Sequence, residues 1–207
     1  MAEPAIDVEG LPLAPESLQM VEYLRRRSGE LTPRAVAGRL AAAASELEDA
    51  IARAAPEQAR LRAIPGKWNL AEIVDHIAQT QVRGAEELRH LLAGRRPPLP
   101  PVYEALRSGA AAWAPWETLV AGLHDANRSM VELLLQVPDD APDGTVTVCT
   151  VMVALRKRDD GTAGPQIWFA ELRWKEYALL QRLHLLDHRT QVRNLLARLL
   201  DAPGASI

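Results

Sequence analysis

Two histidines, His184 and His188, stand four residues apart near the end of the chain. On an α-helix that spacing places both rings on one face, a turn apart, where their nitrogens can reach a single ion. Positions 180, 184, 188, 191, 195 and 199 succeed one another in steps of three and four, and they hold Leu180, His184, His188, Gln191, Leu195 and Leu199. The stripe is apolar at both ends and polar in its middle. Polar groups set into an apolar stripe need partners. Imidazole is a ligand for zinc, nickel and iron alike, so the side chains point to a divalent metal without naming it. A third ligand must come from another helix. His76 is the best candidate, because it borders the apolar face that Ile73, Ile77 and Thr80 mark out. Three imidazoles leave an open coordination position for a small-molecule substrate. The plainer alternatives are a surface pair, or core histidines satisfied within the bundle. Spacing alone leaves them open, and it leaves the pairing with His76 open too.

Around these residues, Glu72, Asp75, Asp187 and Gln191 are candidates to hold the ligands, since metal-bound histidines commonly give their other ring N–H to a carboxylate or carbonyl. Helix capping explains Glu72 more simply. Adjacent helix positions point apart, so Asp75 and Asp187 read first as solvated surface. His124 and His90 are weaker candidates. Cys149 reads as inert filler, since nothing beside it in the sequence would lower its pKa. Trp68, Trp113, Trp116, Trp168 and Trp174 read as packing anchors, with one or two at a pocket mouth.

The elements that must position these residues are helical. Hydrophobic residues make up 48% of the 207 positions but aromatic ones only 4%. The apolar content is largely alanine and leucine, which favour helices over sheets. A short accessory helix is expected over Glu16 to Arg27, with Leu18, Val21 and Leu24 inward. Thr32–Pro33 can cap and start a second helix running to about Ala54, with Val36, Leu40, Ala44, Leu47 and Ile51 on its apolar face. Asn69 followed by Glu72 forms a capping box that starts the helix carrying His76 and ending near Gly94. Residues 97–112 form a crossover. Another helix begins near Trp113 or Trp116 and ends before Pro138. A small β-hairpin is expected from residues 145–153 and 166–170. The last long helix spans about 171–200. The expected fold is therefore all-α: a four-helix bundle with an accessory N-terminal helix, one domain over residues 1–207 with its core at about 33–200.

Charge and composition exclude several functions. The formal charge is −3 with both signs mixed along the chain, so no overall field draws in nucleic acid or an anionic membrane. The basic runs at 25–27, 95–96 and 156–158 are each too short to build a groove. The single cysteine cannot form an intrachain disulfide, which fits a reducing cytoplasm. No secretory signal and no membrane-length apolar stretch is visible.

Two segments carry a family resemblance. Residues Pro65-Gly66-Lys67-Trp68-Asn69-Leu70-Ala71-Glu72-Ile73-Val74-Asp75-His76-Ile77 resemble the tryptophan, helix cap and first ligand histidine of the DinB/YfiT-like superfamily. His184-Leu185-Leu186-Asp187-His188-Arg189-Thr190-Gln191 resembles its paired histidines on the final helix. The similarity spans about residues 33–200. It implies a four-helix bundle, often a homodimer, with a divalent metal held by His76, His184 and His188. Some members are transferases or isomerases that use a low-molecular-weight thiol as cosubstrate. A metal-dependent hydrolase, or a bundle that binds metal or a small ligand without catalysis, are the alternatives. Residues 140–170 depart from the family plan by a longer connection, which puts substrate transfer from any relative in doubt.

Overall fold

In the computed structural model, residues 15–98, 102, 105–144, 148–157 and 163–201 are described, with side chains over 18–98, 102, 105–144 and 170–200. The helices are α1 (Pro15–Glu30), α2 (Pro33–Ile51), α3 (Leu70–Leu92), α4 (Trp116–Leu135) and α5 (Trp174–Asp201). Strands β1 (Val148–Lys157) and β2 (Ala163–Leu172) lie between α4 and α5. The fold is all-α in its core: four helices plus the accessory α1. Around the bundle, α3 packs on α4, α4 on α2, α2 on α5 and α5 back on α3, so α2 and α3 sit on a diagonal.

Local chemistry sets the boundaries. The Thr32 hydroxyl accepts from the Ala35 N–H, and Pro33 occupies the first turn of α2. Val36, Leu40, Ala44, Leu47 and Ile51 are all buried, as the pattern required, and the helix stops at Ile51 rather than Ala54. The capping box of α3 forms in full: the Asn69 side chain accepts from the Glu72 N–H, and the Glu72 carboxylate accepts from the Asn69 N–H, both at 2.9 Å. Asn69 also donates to the Arg60 carbonyl, and the Ala71 N–H to the Ala59 carbonyl, so the start of α3 is anchored to the preceding loop.

α1 differs from the expectation in two ways. It continues through Ser28–Gly29 to Glu30, and Leu18 is exposed, while Val21 and Leu24 are buried. Because α1 packs mainly on α5, a single neighbour can cover only a narrow stripe of it. The hairpin forms: β1 runs on to Lys157 and β2 extends at both ends of the expected 166–170, while residues 145–147 lie outside the described residues. β1 and β2 pair antiparallel from Val148 opposite Leu172 to Lys157 opposite Ala163. The base of the hairpin joins the bundle through buried Ala170 and Leu172. Next to it, Trp174 is buried and its indole N–H donates to the Pro142 carbonyl. The side chains of Cys149 and Trp168 lie outside the described residues. No helix among the described residues is long and apolar enough to cross a membrane.

Candidate metal centre

α3 and α5 run antiparallel in contact, and this pairing brings three histidines together. His76 Nε2 lies 3.1 Å from His184 Nε2, and His188 Nε2 lies 3.0 Å from the same atom. One ligand atom from each ring falls within 4.8 Å of the other two. Three nitrogens bound to one zinc at about 2.0–2.1 Å in tetrahedral geometry stand about 3.3 Å apart, so the observed spacing is close to a coordination shell.

The far side of two rings fixes their protons. His76 Nδ1 is 2.9 Å from the Leu106 carbonyl. A carbonyl can only accept, so Nδ1 carries the hydrogen and Nε2 presents a lone pair. His188 Nδ1 is 2.8 Å from Gln191 Oε1, with the same consequence. Two lone pairs are therefore aimed at His184 Nε2. A single N–H on that atom cannot point fully at both. Charging the rings is disfavoured: burial lowers the pKa of His76, and burial with the neighbouring rings lowers that of His184 further. Burial, then His76, pushes His188 down to about 4. Three neutral imidazoles converge with two lone pairs fixed inward, and the donor set fits a divalent metal.

The centre is buried at one end and open at the other. His76 is buried, and its ring packs against the half-buried Trp68 with centroids 5.0 Å apart. His188 is half-buried and Gln191 exposed, so solvent reaches the site from their side. His184 Nδ1 is enclosed and has no partner among the described residues.

Other sequence candidates fall elsewhere. Glu72 caps α3 and pairs with Arg62 at 2.8 Å. Burial alone would raise its pKa, but the Asn69 N–H and the charges of Arg62 and Arg107 hold the carboxyl below its usual value. Asp187 is exposed. His124 is half-exposed beside Glu48, and His90 is not in the cluster. Trp113 is exposed, whereas Trp116 and Trp174 are buried.

Asp75 corrects the surface reading. It is buried, and its carboxylate accepts from the Ser108 N–H, the Ser108 hydroxyl and the Gly109 N–H. That anchor holds the 105–109 segment so that the Leu106 carbonyl meets His76. The role of this loop was not readable in the sequence, because an irregular segment leaves no periodic signal.

A family model described as the DinB superfamily matches residues 39–205. The chain belongs to the DinB superfamily. The match covers most of α2, all of α3, α4 and α5, the three clustered histidines and the hairpin. No curated protein and no solved structure matches the chain. What this DinB protein offers chemically is a histidine-based site capable of coordinating a divalent metal, open to solvent on one side.

Proposed function

We propose that this DinB protein is a divalent-metal-dependent enzyme that uses a low-molecular-weight thiol to transfer onto, or isomerise, a small electrophilic substrate. His76, His184 and His188 are the ligands, with zinc, nickel or iron as the ion. The observation that carries the reading is the convergence of three Nε2 atoms, two of them with their lone pairs fixed inward by Leu106 and Gln191. A divalent ion held only by neutral imidazoles keeps its full charge and lowers the pKa of a thiol or water brought to it.

The chain's own residues account for the rest. His76 is held from behind by a backbone carbonyl, which fixes its ring more firmly than a mobile side chain would. Gln191 orients His188 at the solvent-facing side. Trp68 packs against the His76 ring. In the overall reaction the thiol sulfur joins an electrophilic carbon; a displaced halide leaves with the thiol's proton, whereas an opened epoxide takes that proton on its oxygen and an enone takes it on its α-carbon. For an isomerisation the thiol adds and is released again. The proposal treats residues 1–207 as one domain acting in the cytoplasm, as a monomer or homodimer.

The test is thiol consumption across a panel of epoxides, activated aryl halides and conjugated enones, with glutathione, bacillithiol and mycothiol. Metal-free protein and protein reloaded with zinc, nickel or iron are compared. Turnover that needs both metal and thiol, and that disappears in His184→Ala, supports the reading. Metal-dependent turnover without thiol transfers the site to hydrolysis. No metal-dependent reaction of either kind, with metal bound, leaves a binding module.

A further inference from the structure

A cavity of about 620 Å³ lies between the start of α3, the loop leading into it and the 105–112 segment. Small-molecule pockets typically occupy about 300–1,000 Å³, so the size suits a metabolite. Its charged lining is Arg60, Arg62, Glu72, Asp75 and Arg107.

The two carboxylates are already engaged. Glu72 accepts from the Asn69 N–H and from Arg62. Asp75 accepts from three donors of Ser108 and Gly109. Arg62 is engaged as well, donating to the Lys67 carbonyl at 2.7 Å besides Glu72, and the other two guanidinium groups keep more of their donors. Arg60 gives Nε and one terminal nitrogen to the Ala111 and Ala114 carbonyls and has no carboxylate partner among the described residues. Arg107 makes no hydrogen bond to the described residues; it lies over the Trp68 ring, 5.5 Å from its centroid. The remaining hydrogen-bonding capacity of the cavity is therefore mostly donor, and its formal charge is positive. Guanidinium groups with unused N–H donors are suited to planar carboxylates and to phosphates.

The cavity is also tied to the metal centre. Arg107 follows Leu106, whose carbonyl holds His76. Trp68 touches both groups, with Arg107 over its ring and His76 at 5.0 Å. Glu72 and His76 occupy successive turns of α3. An anion held by Arg107 would lie one side chain away from the triad.

We infer that this cavity is an anion subsite, and that the substrate is a small molecule with a carboxylate or phosphate at one end and its reacting group at the other, directed past Trp68 to the histidines. Arg107 is its principal contact, Arg60 and Arg62 its flanks. The second half of this statement rests on the metal-centre reading; the first does not.

The test is an NMR titration of full-length, metal-free protein at constant ionic strength, following the Arg107 Nε–H and the backbone amides of Ser108 and Gly109. The probes are succinate, inorganic phosphate and the neutral succinamide. Saturable shifts with succinate or phosphate and none with succinamide are expected, and the stronger anion identifies the source. Arg107→Gln should weaken binding at least about tenfold, the scale of one charge-assisted bidentate contact. Arg107→Lys should retain part of it, and a dispersed amide spectrum shows that each variant is folded. Equal shifts with succinamide, no saturation, or unchanged affinity in folded Arg107→Gln overturn the subsite. The same titration with cobalt-loaded protein then tests the link: the succinate protons should relax faster, and the effect should vanish in His184→Ala. If succinate binds but wild-type protein takes up no cobalt, the metal-centre reading fails while the anion subsite stands. If cobalt binds and the succinate protons are unaffected, the link between the two fails.

Discussion

The contact between α3 and α5 holds two polar clusters, a few turns apart, built on opposite principles. At one end, His76 meets His184 and His188. At the other, Glu87 meets Tyr177, whose hydroxyl donates to the Glu87 carboxylate and accepts from Gln181 Nε2 at 2.9 Å. Arg83 Nε completes that second cluster by donating to Glu87 at 2.9 Å. Each contact there pairs a donor with an acceptor. Burial, and then Glu87, raises the pKa of Tyr177 well above its ordinary value, so the phenol keeps the proton it donates. The carboxylate and the phenol are paired without any ligand, and only Gln181 Oε1 in this cluster has no partner among the described residues. The histidine end aims two lone pairs at one nitrogen of His184, more than a single N–H can satisfy, and has no charge of its own. Both clusters are polar groups in an apolar bundle, but only one has a valence left for a metal. Burial of polar residues does not mark a site; a mismatch of donors and acceptors does.

That contrast can be broken at either end. The largest effect is expected from His184→Ala, which removes the nitrogen common to both short contacts. Loss of an outer partner typically costs about 10–100-fold in metal affinity, so loss of this ligand should cost more than about 100-fold. Competition with a chromogenic chelator measures it, and an unchanged circular dichroism spectrum shows that the bundle survives.

Next comes acid sensitivity of the metal-free protein. The folded histidines bind protons less readily than in the unfolded chain, where the ordinary value is 6.5. Their contribution is fully present above about pH 6.5. As pH falls from there towards 4, the unfolded state takes up protons that the folded state resists, and stability falls. Urea midpoints at pH 7.5 and pH 5 should show this drop, with a smaller drop in His184→Ala. A flat profile would mean that the rings are not enclosed as described.

Tyr177→Phe should act only on stability. It leaves Glu87 and Gln181 without their shared hydroxyl, at about 1–3 kcal/mol. Thermal melts of the metal-free protein check the cost, and the metal affinity should match wild type. A large loss of affinity would make the two clusters one system. The smallest effect is expected from Gln191→Leu, which frees the His188 ring without removing a ligand. Gln191 is exposed, and water can replace its oxygen, so a loss of about tenfold in affinity is expected from the same chelator assay.

The sequence disclosed the parts whose signals are local. The Asn69–Glu72 box located the start of α3, and the spacing of His184 and His188 placed both rings on one face of α5. The convergence of His76 with that pair was a matter of helix pairing. Periodicity could only nominate His76, and the family resemblance supplied the rest. Contacts between distant, irregular segments left no trace. The Leu106 carbonyl lies 30 residues from His76, and the Ser108 contact to Asp75 spans 33. Neither the carbonyl, which any residue would supply, nor a buried aspartate beside a ligand has a pattern to read. Leu18 shows the reverse error: its spacing matched Val21 and Leu24, but α1 has too little bundle around it to bury a third position. Gln191 was legible: it shares the stripe of the histidines, and its side chain accepts from the His188 ring as a holding residue would, although it is exposed.

X-ray absorption at the zinc edge, on tag-free protein reloaded with one equivalent of zinc, tests the central claim most directly. The account predicts one tightly held ion per chain with three imidazole nitrogens at about 2.0–2.1 Å, and a disrupted shell in His184→Ala. An ion that washes away, or a shell without imidazole scattering, would contradict it.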